Sequence, residues 1–563
     1  MSVATGDLIS RTYGNFRGAD FRGEEINIRR SPDCLNVWRD YTEIESIRTR
    51  PTMELKTAFE GTIYGISFYN GQMLVHCGDK LYKVVNGAKT VLKTGLAARE
   101  SNSFIYENAW YFMDGQSYLR YDGTEIKDVE GYVPTTSIGR KPSGGGKIYQ
   151  DVNLLSEYRI NTFLADGESV DFHLDTKDID TDFVPVIKVN GVPLTEQEMD
   201  DTDIDYKKGV IHFRGAAPEP FTDGQDNVSI KFKKKVDGYR EKILNCTLLQ
   251  VFDNRVFVSG NKDFPNTVWH CSLDDPTYFS DLDYYKEGVD SAKVMGLVAG
   301  NNNLWVFREP SQAHTSVFYH TPSIDEEYGK VYPSQHSSIS TGCVGKSVNF
   351  NDDILFFSAR GMEGISGDIT TEQAIAHRST LVDRKLIAEK NYANMILAEW
   401  EGYLLIFIGD KAYLADSRAM FTNENHLEYD FFYWQMEKEI TAARVENGTL
   451  YLGTKDGVYT LTGSSDLESY WVTPKDQFKS ANKLKTTNKR GCVVEATGDL
   501  SVYAKVEDTD FELIDTFWNI TDYFVCRIKR KKWKDIQLKF YSQTRFSLET
   551  ATLEAFCGGY IKR

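Results

Sequence analysis

The sequence predicts an all-β fold, a seven-bladed β-propeller with an inserted β-sandwich and a C-terminal β-sandwich, and three observations predict it. The first is one complete unit at residues 440–462, ITAARVENGTLYLGTKDGVYTLT. Asn447-Gly448 and Lys455-Asp456-Gly457 read as turns, and between them Leu450 and Leu452 alternate with Thr449 and Tyr451, the period-2 pattern of a strand buried on one face. The second is recurrence. The first turn of the unit aligns at positions 70, 108, 254, 302, 352, 402 and 447, with gaps of about 38, 146, 48, 50, 50 and 45 residues. The third is composition: 32 Tyr and 32 Phe with no long amphipathic helical pattern suit strands. Short antiparallel strands repeating every ~40–50 residues are the mark of propeller blades, whose small sheets cover one another's faces.

Taken in order, residues 1–56 read as an extended N-terminal arm in which Arg and Gly alternate with Phe16, Phe21, Ile26 and Ile28. Propellers close their ring by pairing opposite chain ends, so part of this arm is a candidate to complete the last blade. Blades one and two occupy 57–133. Pro134, Pro142 and Ser143-Gly144-Gly145-Gly146 read as a flexible boundary. Residues 147–236, with turns at Asn190-Gly191, Lys208-Gly209 and Asp223-Gly224, read as the inserted sandwich with a core of its own, which accounts for the one gap that is too long. Blades three to seven follow at 243–469. From 470 to 563 the spacing changes, and alternation in VVEATGDLSVYAKVED and FSLETATLEAF predicts the second sandwich. Residues 381–391 read as a short helix.

The 563 residues carry a formal net charge of -17, which argues against a general binder of nucleic acid or anionic membrane but leaves room for local basic surfaces. The eight cysteines (34, 77, 246, 271, 343, 492, 526 and 557) show no Cys-x-x-Cys and no zinc-ligand spacing, so buried reduced thiols are expected. The N-terminus has no signal-like region, and the longest apolar run, Tyr403–Ile408, is too short to span a bilayer. Folding in a reducing cytoplasm, with no cofactor, no metal and no membrane-spanning segment, is the expectation.

Motifs that invite chemistry have plainer readings. Gly342-Cys343-Val344-Gly345-Lys346-Ser347 resembles a phosphate cradle, but Ser340 stands where the first Gly is needed and strands are expected after it. Asp200, Asp201, Asp203 and Asp205 crowd one loop without the Gly and distal Glu of a calcium loop. Asp253, Asp352 and Asp353 fall at blade turns, where Asp is favoured for conformational reasons. The sialidase box and Trp-Asp blade endings are absent from the sequence. Asn245, Asn447 and Asn519 head glycosylation-like triplets by chance. The run 527–534, RIKRKKWK, stands out in an acidic chain: as a strand it sends Arg527, Lys529, Lys531 and Trp533 to one side and Arg530, Lys532 and Lys534 to the other, either as a solvated edge or as a contact with DNA phosphates or an acidic neighbour.

Several strings resemble a family of bacteriophage virion proteins, the stabilization, hub or nozzle proteins of the tail. They are FRGADFRGEEINIRRSPDCLNVW near the start, VFDNRVFVSGNKDFPNTVWHCSLDDPTYFSD at 251–281, GCVGKSVNFNDDILFFSARGMEGI at 342–365 and the final CGGYIKR. The motif residues are Asp253, Asn254, Arg255, Ser259, Gly260, Asn261, Asp275, Pro276, Tyr278 and Phe279, a structural motif in which the 274–279 turn, DDPTYF, reads as a latch. The resemblance implies a non-enzymatic propeller subunit in a ring, expected to be a hexamer, below the portal and adaptor. That ring would line or close the DNA exit channel and meet other tail proteins, with non-specific contact to genomic DNA, in a virion assembled in the host cytoplasm. Arg17, Arg22, Arg29 and Arg30 of the arm, together with the 527–534 run, are then the candidates for reaching neighbours or DNA. The alternative is a propeller enzyme or lectin acting on host-surface polysaccharide.

Overall fold

All seven turns aligned in the sequence are two-residue hairpins: Tyr69 pairs with Gln72, Tyr106 with Ala109, Phe252 with Arg255, Gly300 with Asn303, Phe350 with Asp353, Trp400 with Tyr403 and Glu446 with Thr449. In six of them both loop residues have positive φ, the mirror-image turn whose twist matches that of the flanking strands. At 107–108 only Glu107 does. The structure is a computed structural model describing the chain apart from residues 1–6, 24–25, 41–45, 221–223, 312–314, 327–328, 367–373, 424–425, 529–531 and 561–563. It is all-β and propeller-like: each of the seven turns joins the first two strands of a four-stranded sheet. The chain divides into two compact units, one of Met1–Thr94, Glu309–Val317 and Ser337–Arg563, the other of Gly95–Arg308 and Phe318–His336.

In the first unit the arm is not free. Its strand Thr52–Ala58 pairs antiparallel with Gly457–Gly463 and supplies the fourth strand of the last sheet, so the boundary expected at 56 falls inside a strand. Upstream, Asp7–Gly14 runs along Phe546–Tyr560 over its whole length, and Cys34–Leu35, Val37–Trp38 and Ile47–Thr49 join the same assembly. Here the expectation of a self-contained C-terminal sandwich is corrected. Residues 469–560 and the arm together build one ten-stranded sheet around the 24-residue strand Lys483–Val506. The two ends of its strand order are held by neighbouring dipeptides, Cys34–Leu35 and Val37–Trp38, so the sheet curls into a nearly closed barrel. Its apolar core runs into a neighbouring sheet: Tyr13, Phe16, Phe21, Trp38, Ile47 and Trp471 share a cluster with Trp400, Tyr403 and Trp434. Trp38 stacks on Trp400 at 5.3 Å, and Phe16 meets Trp471 edge-on at 5.0 Å. The short helix expected at 381–391 is present over Asp383–Leu386.

In the second unit a six-stranded sheet and a three-stranded sheet enclose one core containing Phe163, Phe172, Ile187, Ile211, Phe213 and Phe232. This insertion begins earlier than expected. Thr135–Arg140 already pairs with Tyr158–Phe163 and with Lys147–Ile148, so the glycine run is a hairpin and not a linker. Gly144, Gly145 and Gly146 all have positive φ, and a Cβ on Gly146 would lie 2.8 Å from the carbonyl oxygen of Ile138. The insertion is also fused to its neighbour. Leu154 and Leu155 belong to the cluster of Phe104, Tyr118, Trp269 and Phe279, while Asn153 Nδ2 donates to the carbonyls of Tyr132 and Thr277 at 2.8 Å each. Deleting 147–236 therefore removes two buried leucines from a core that stays behind. We expect a midpoint lowered by the equivalent of about 3–6 kcal/mol, read by denaturant unfolding, against no loss if the insertion were a detachable domain.

Candidate functional site

The arm arginines proposed to reach outward are, with one exception, held within the chain. Arg17 Nε lies 2.9 Å and Arg30 2.6 Å from opposite oxygens of Asp430, a fully buried carboxylate on the strand His426–Gln435. Burial pushes the Asp430 carboxyl up against the pull of Arg30 and Arg17. The Arg30 guanidinium also sits 4.1 Å above the Phe421 ring. Arg22 pairs with Asp20 at 2.8 Å, and Arg29 is exposed. Nearby, the buried Arg50 ties arm to sheet by donating to Asn36 Oδ1, the Pro51 and Gln435 carbonyls and Glu437. These groups lock strands distant in sequence, and Arg17, Arg22 and Arg30 each hold a carboxylate of their own chain.

The basic run is not one strand. Tyr523–Cys526 ends before it and Ile536–Ser542 begins after it, and the expected alternation holds at 532–534 but is reversed at 527–528. Arg527, Lys532 and Lys534 are exposed, whereas Ile528 and Trp533 are buried. Lys529, Arg530 and Lys531 lie outside the described residues. Trp533 anchors the segment: its Nε1 donates to Thr487 Oγ1 at 3.0 Å. Beneath it the fully buried Lys485 donates from Nζ to the carbonyl oxygens of Lys534 at 2.9 Å and of Ser480, and burial lowers its pKa.

The family-like motif assembles as interlocking turns. Asp253 and Asn254 form the hairpin turn, and Asp253 meets Lys330 Nζ and the Tyr332 hydroxyl, to which Arg255 also donates at 2.7 Å. Ser259 Oγ donates to the Thr267 carbonyl at 2.6 Å. At Gly260, with φ +80°, a side chain would collide with Thr247 Oγ1. Asn261 Nδ2 caps the helix Tyr239–Leu244 by donating to the carbonyls of Glu241 and Lys242. Asp275 Oδ1 accepts from the Thr277 N–H at 2.8 Å, the Pro276 carbonyl accepts from the Tyr118 hydroxyl at 2.9 Å, and the Tyr278 hydroxyl donates to the Asp151 carbonyl at 2.9 Å. Phe279 is fully buried, its N–H on Asn153 Oδ1. The polar atoms of the motif named here are engaged within the chain, those of Asp253 and Arg255 with side chains and those of Ser259, Asn261, Asp275 and Tyr278 with backbone.

The other motifs are likewise structural. Ser347 opens the strand Ser347–Phe350, so no helix follows the Gly-Lys-Ser run. The acidic loop is instead the short helix Glu196–Asp200 followed by the strand Thr202–Asp205, with Asp203 paired to Arg214 and Asp205 to Lys208. Asp353 accepts from Arg378 at 2.8 Å and from the Tyr429 hydroxyl at 2.9 Å. All eight cysteines are buried and free, and burial pushes the thiols of Cys34, Cys271, Cys343 and Cys526 up to about 12, which keeps them protonated and unreactive. Among the described residues no group of His, Cys, Asp and Glu could hold a metal ion, and no helix is long and apolar enough to cross a membrane. A cleft of about 370 Å³ is lined by Arg48, Thr49, Thr497, Arg545, Phe546, Ser547 and Glu549.

Two histidine sites have no signal in the sequence, because their partners lie 6 to 33 positions away without a motif. His320 Nδ1 donates to the Tyr332 carbonyl at 2.7 Å and its Nε2 meets Glu287 at 2.9 Å, both side chains fully buried. His377 lies between Glu363 at 3.2 Å and Asp383 at 2.6 Å. Burial alone would lower this imidazole, but its hydrogen bonds to Asp383 and Glu363 outweigh that and hold its pKa at about 10. A pKa raised on folding stabilises fully below the unfolded value of ~6.5 and is lost as pH rises towards the folded one. His377→Gln should therefore cost most at or below pH ~6.5 and progressively less towards pH ~10. Guanidinium midpoints of both proteins across that range check it, and a pH-independent difference would contradict it.

Compared with protein-family models and with curated proteins, the sequence finds no match. Among solved structures the chain is similar to the computationally designed Ika8 protein at 13% identity over 73% of this chain and 98% of that one, with a TM-score of 0.32. It is also similar to BamB from Moraxella catarrhalis (10% identity, 82% and 97% covered, TM-score 0.33) and to YCF48 bound to D1 peptide (7%, 73% and 97%, TM-score 0.30).

Proposed function

We propose that the chain is a structural, non-enzymatic subunit of a phage tail: a seven-bladed propeller made of the seven four-stranded sheets, with the insertion as one β-sandwich and the ten-stranded sheet as a docking body. The observation that carries the reading is where the ionisable groups go. Arg17, Arg30 and Arg50, Asp253, Asp353 and Asp430, His320 and His377 are bound to partners within the chain, most of them on other strands, so candidate catalytic groups serve as braces. A part that must hold its shape under the load of DNA ejection needs such bracing, and an active site would need some of these groups available to a substrate. The strings that resemble those of tail stabilization, hub and nozzle proteins suggest the setting: a ring of copies, expected to be six, below the portal and adaptor. Among the described residues of the arm and the 527–534 run, Arg29, Arg527, Lys532 and Lys534 are exposed cations placed for contact with acidic neighbours or DNA. Mass spectrometry of purified particles tests the setting. The chain should be present in multiple copies per virion, and its absence from the virion, or release of sugar from host polysaccharide by the purified chain, would overturn the reading.

A further inference from the structure

One tryptophan departs from the rule that the other eight obey. Trp518 is 68% exposed, whereas every other tryptophan in the chain is at 8% or less. It lies on Glu512–Ile520, a strand that pairs with Lys483–Val506 alone among the described residues, so its other side is a free sheet edge. The following strand, Tyr523–Cys526, continues that edge along the same partner. Free edges recruit other strands unless they are blunted by Lys, Pro, shortness or bulges. This one is nine residues long, contains neither Lys nor Pro, and keeps Leu513, Tyr523 and Val525 exposed at 55%, 62% and 40%. Register shifts between Leu513 and Asp515 and between Phe517 and Ile520 blunt it towards its ends, so the regular stretch open to a partner is Asp515–Phe517, with Trp518 beside it.

Charge identifies what the edge accepts. Between Val506 and Arg527 the sequence holds Glu507, Asp508, Asp510, Glu512, Asp515 and Asp522 and no Lys or Arg. All six are exposed. A second copy of the same edge would bring like charges together. The chain's own cationic stretch cannot be laid there from another copy without unseating the buried Ile528 and Trp533. We propose that this edge is a docking site for an extended, Lys/Arg-rich segment of a different protein, which adds as a strand, seats its aliphatic side chains on Trp518 and Tyr523 and pairs its cations with the carboxylates. The inference stands on this edge alone and does not depend on the tail reading.

Because the other eight tryptophans are buried, acrylamide quenching of the full chain reports mainly Trp518. An eight-residue peptide alternating lysine and valine should lower the quenching constant saturably, by about twofold, as the indole is covered. Glu512→Lys with Asp515→Lys, both on the surface, should abolish that protection while leaving the circular dichroism unchanged. A peptide alternating lysine and proline carries the same charge but lacks the N–H groups of a ladder, and should give none. Equal protection by the lysine-proline peptide would reduce the site to charge adhesion and overturn the proposal, as would no protection by lysine-valine. So would a sedimenting dimer whose Trp518 is already shielded and becomes quenchable on dilution, since the occupant would then be a second copy.

Discussion

A chain beginning at Phe59 is expected not to fold in its first unit. The truncation removes Thr52–Ala58, leaving Gly457–Gly463 without its outer partner, and removes Asp7–Gly14 and the dipeptides that close the ten-stranded sheet. It also empties the core of Tyr13, Phe16, Phe21, Trp38 and Ile47. Five large buried side chains at ~1.5–3 kcal/mol each amount to ~7.5–15 kcal/mol, as much as the ~5–15 kcal/mol by which a domain is ordinarily stable. Circular dichroism and calorimetry should show the loss of a cooperative transition, and a polypeptide covering 7–58 added in trans should restore it. A truncated chain unfolding cooperatively at the full-length midpoint would show the arm to be an accessory.

Asp430→Ala should be the most damaging single substitution among the ion pairs, costing about 3–5 kcal/mol, because it leaves Arg17 and the buried Arg30 facing a vacated site. The same physics predicts rescue. Replacing Arg17 and Arg30 with methionine and Asp430 with leucine removes the unpaired charge along with the pair, and should regain most of the loss. Denaturant midpoints for the single, double and triple variants form a cycle, and additive costs would mean that the three groups do not act together.

What was legible in the sequence was local. The paired turn residues at 70–71, 253–254, 301–302, 351–352, 401–402 and 447–448 have positive φ because Asn, Asp and Gly, and once Glu401, take that conformation within a tight turn, and the alternation beside them sets the strands. What was not legible was pairing across the chain. Asp7 finds Cys557 and Arg30 finds Asp430, at separations of several hundred residues, and no periodicity encodes which strand will accept an arm. The expected C-terminal sandwich therefore turned out to share its sheet with the N-terminus. Gly144-Gly145-Gly146 was ambiguous in a different way, since glycine serves a linker and a crowded hairpin equally well, and only the approach of Ile138 distinguishes them. In the 527–534 run, alternation holds locally, since Trp533 turns inward and Lys532 and Lys534 outward, but Arg527 is exposed and Ile528 buried, the opposite phase, because the described residues of the run do not form one strand. The His377 brace had no sequence signal, because one imidazole between two carboxylates is a product of register.

The measurement that tests the account most directly is a cryo-EM map of the intact tail, with this chain placed in density. The expected result is a closed ring of copies, six in number, coaxial with the DNA channel, each copy showing seven blades and the arm docked on Asp430 within its own subunit. A map with one copy per tail, or with no density for the chain, would contradict it.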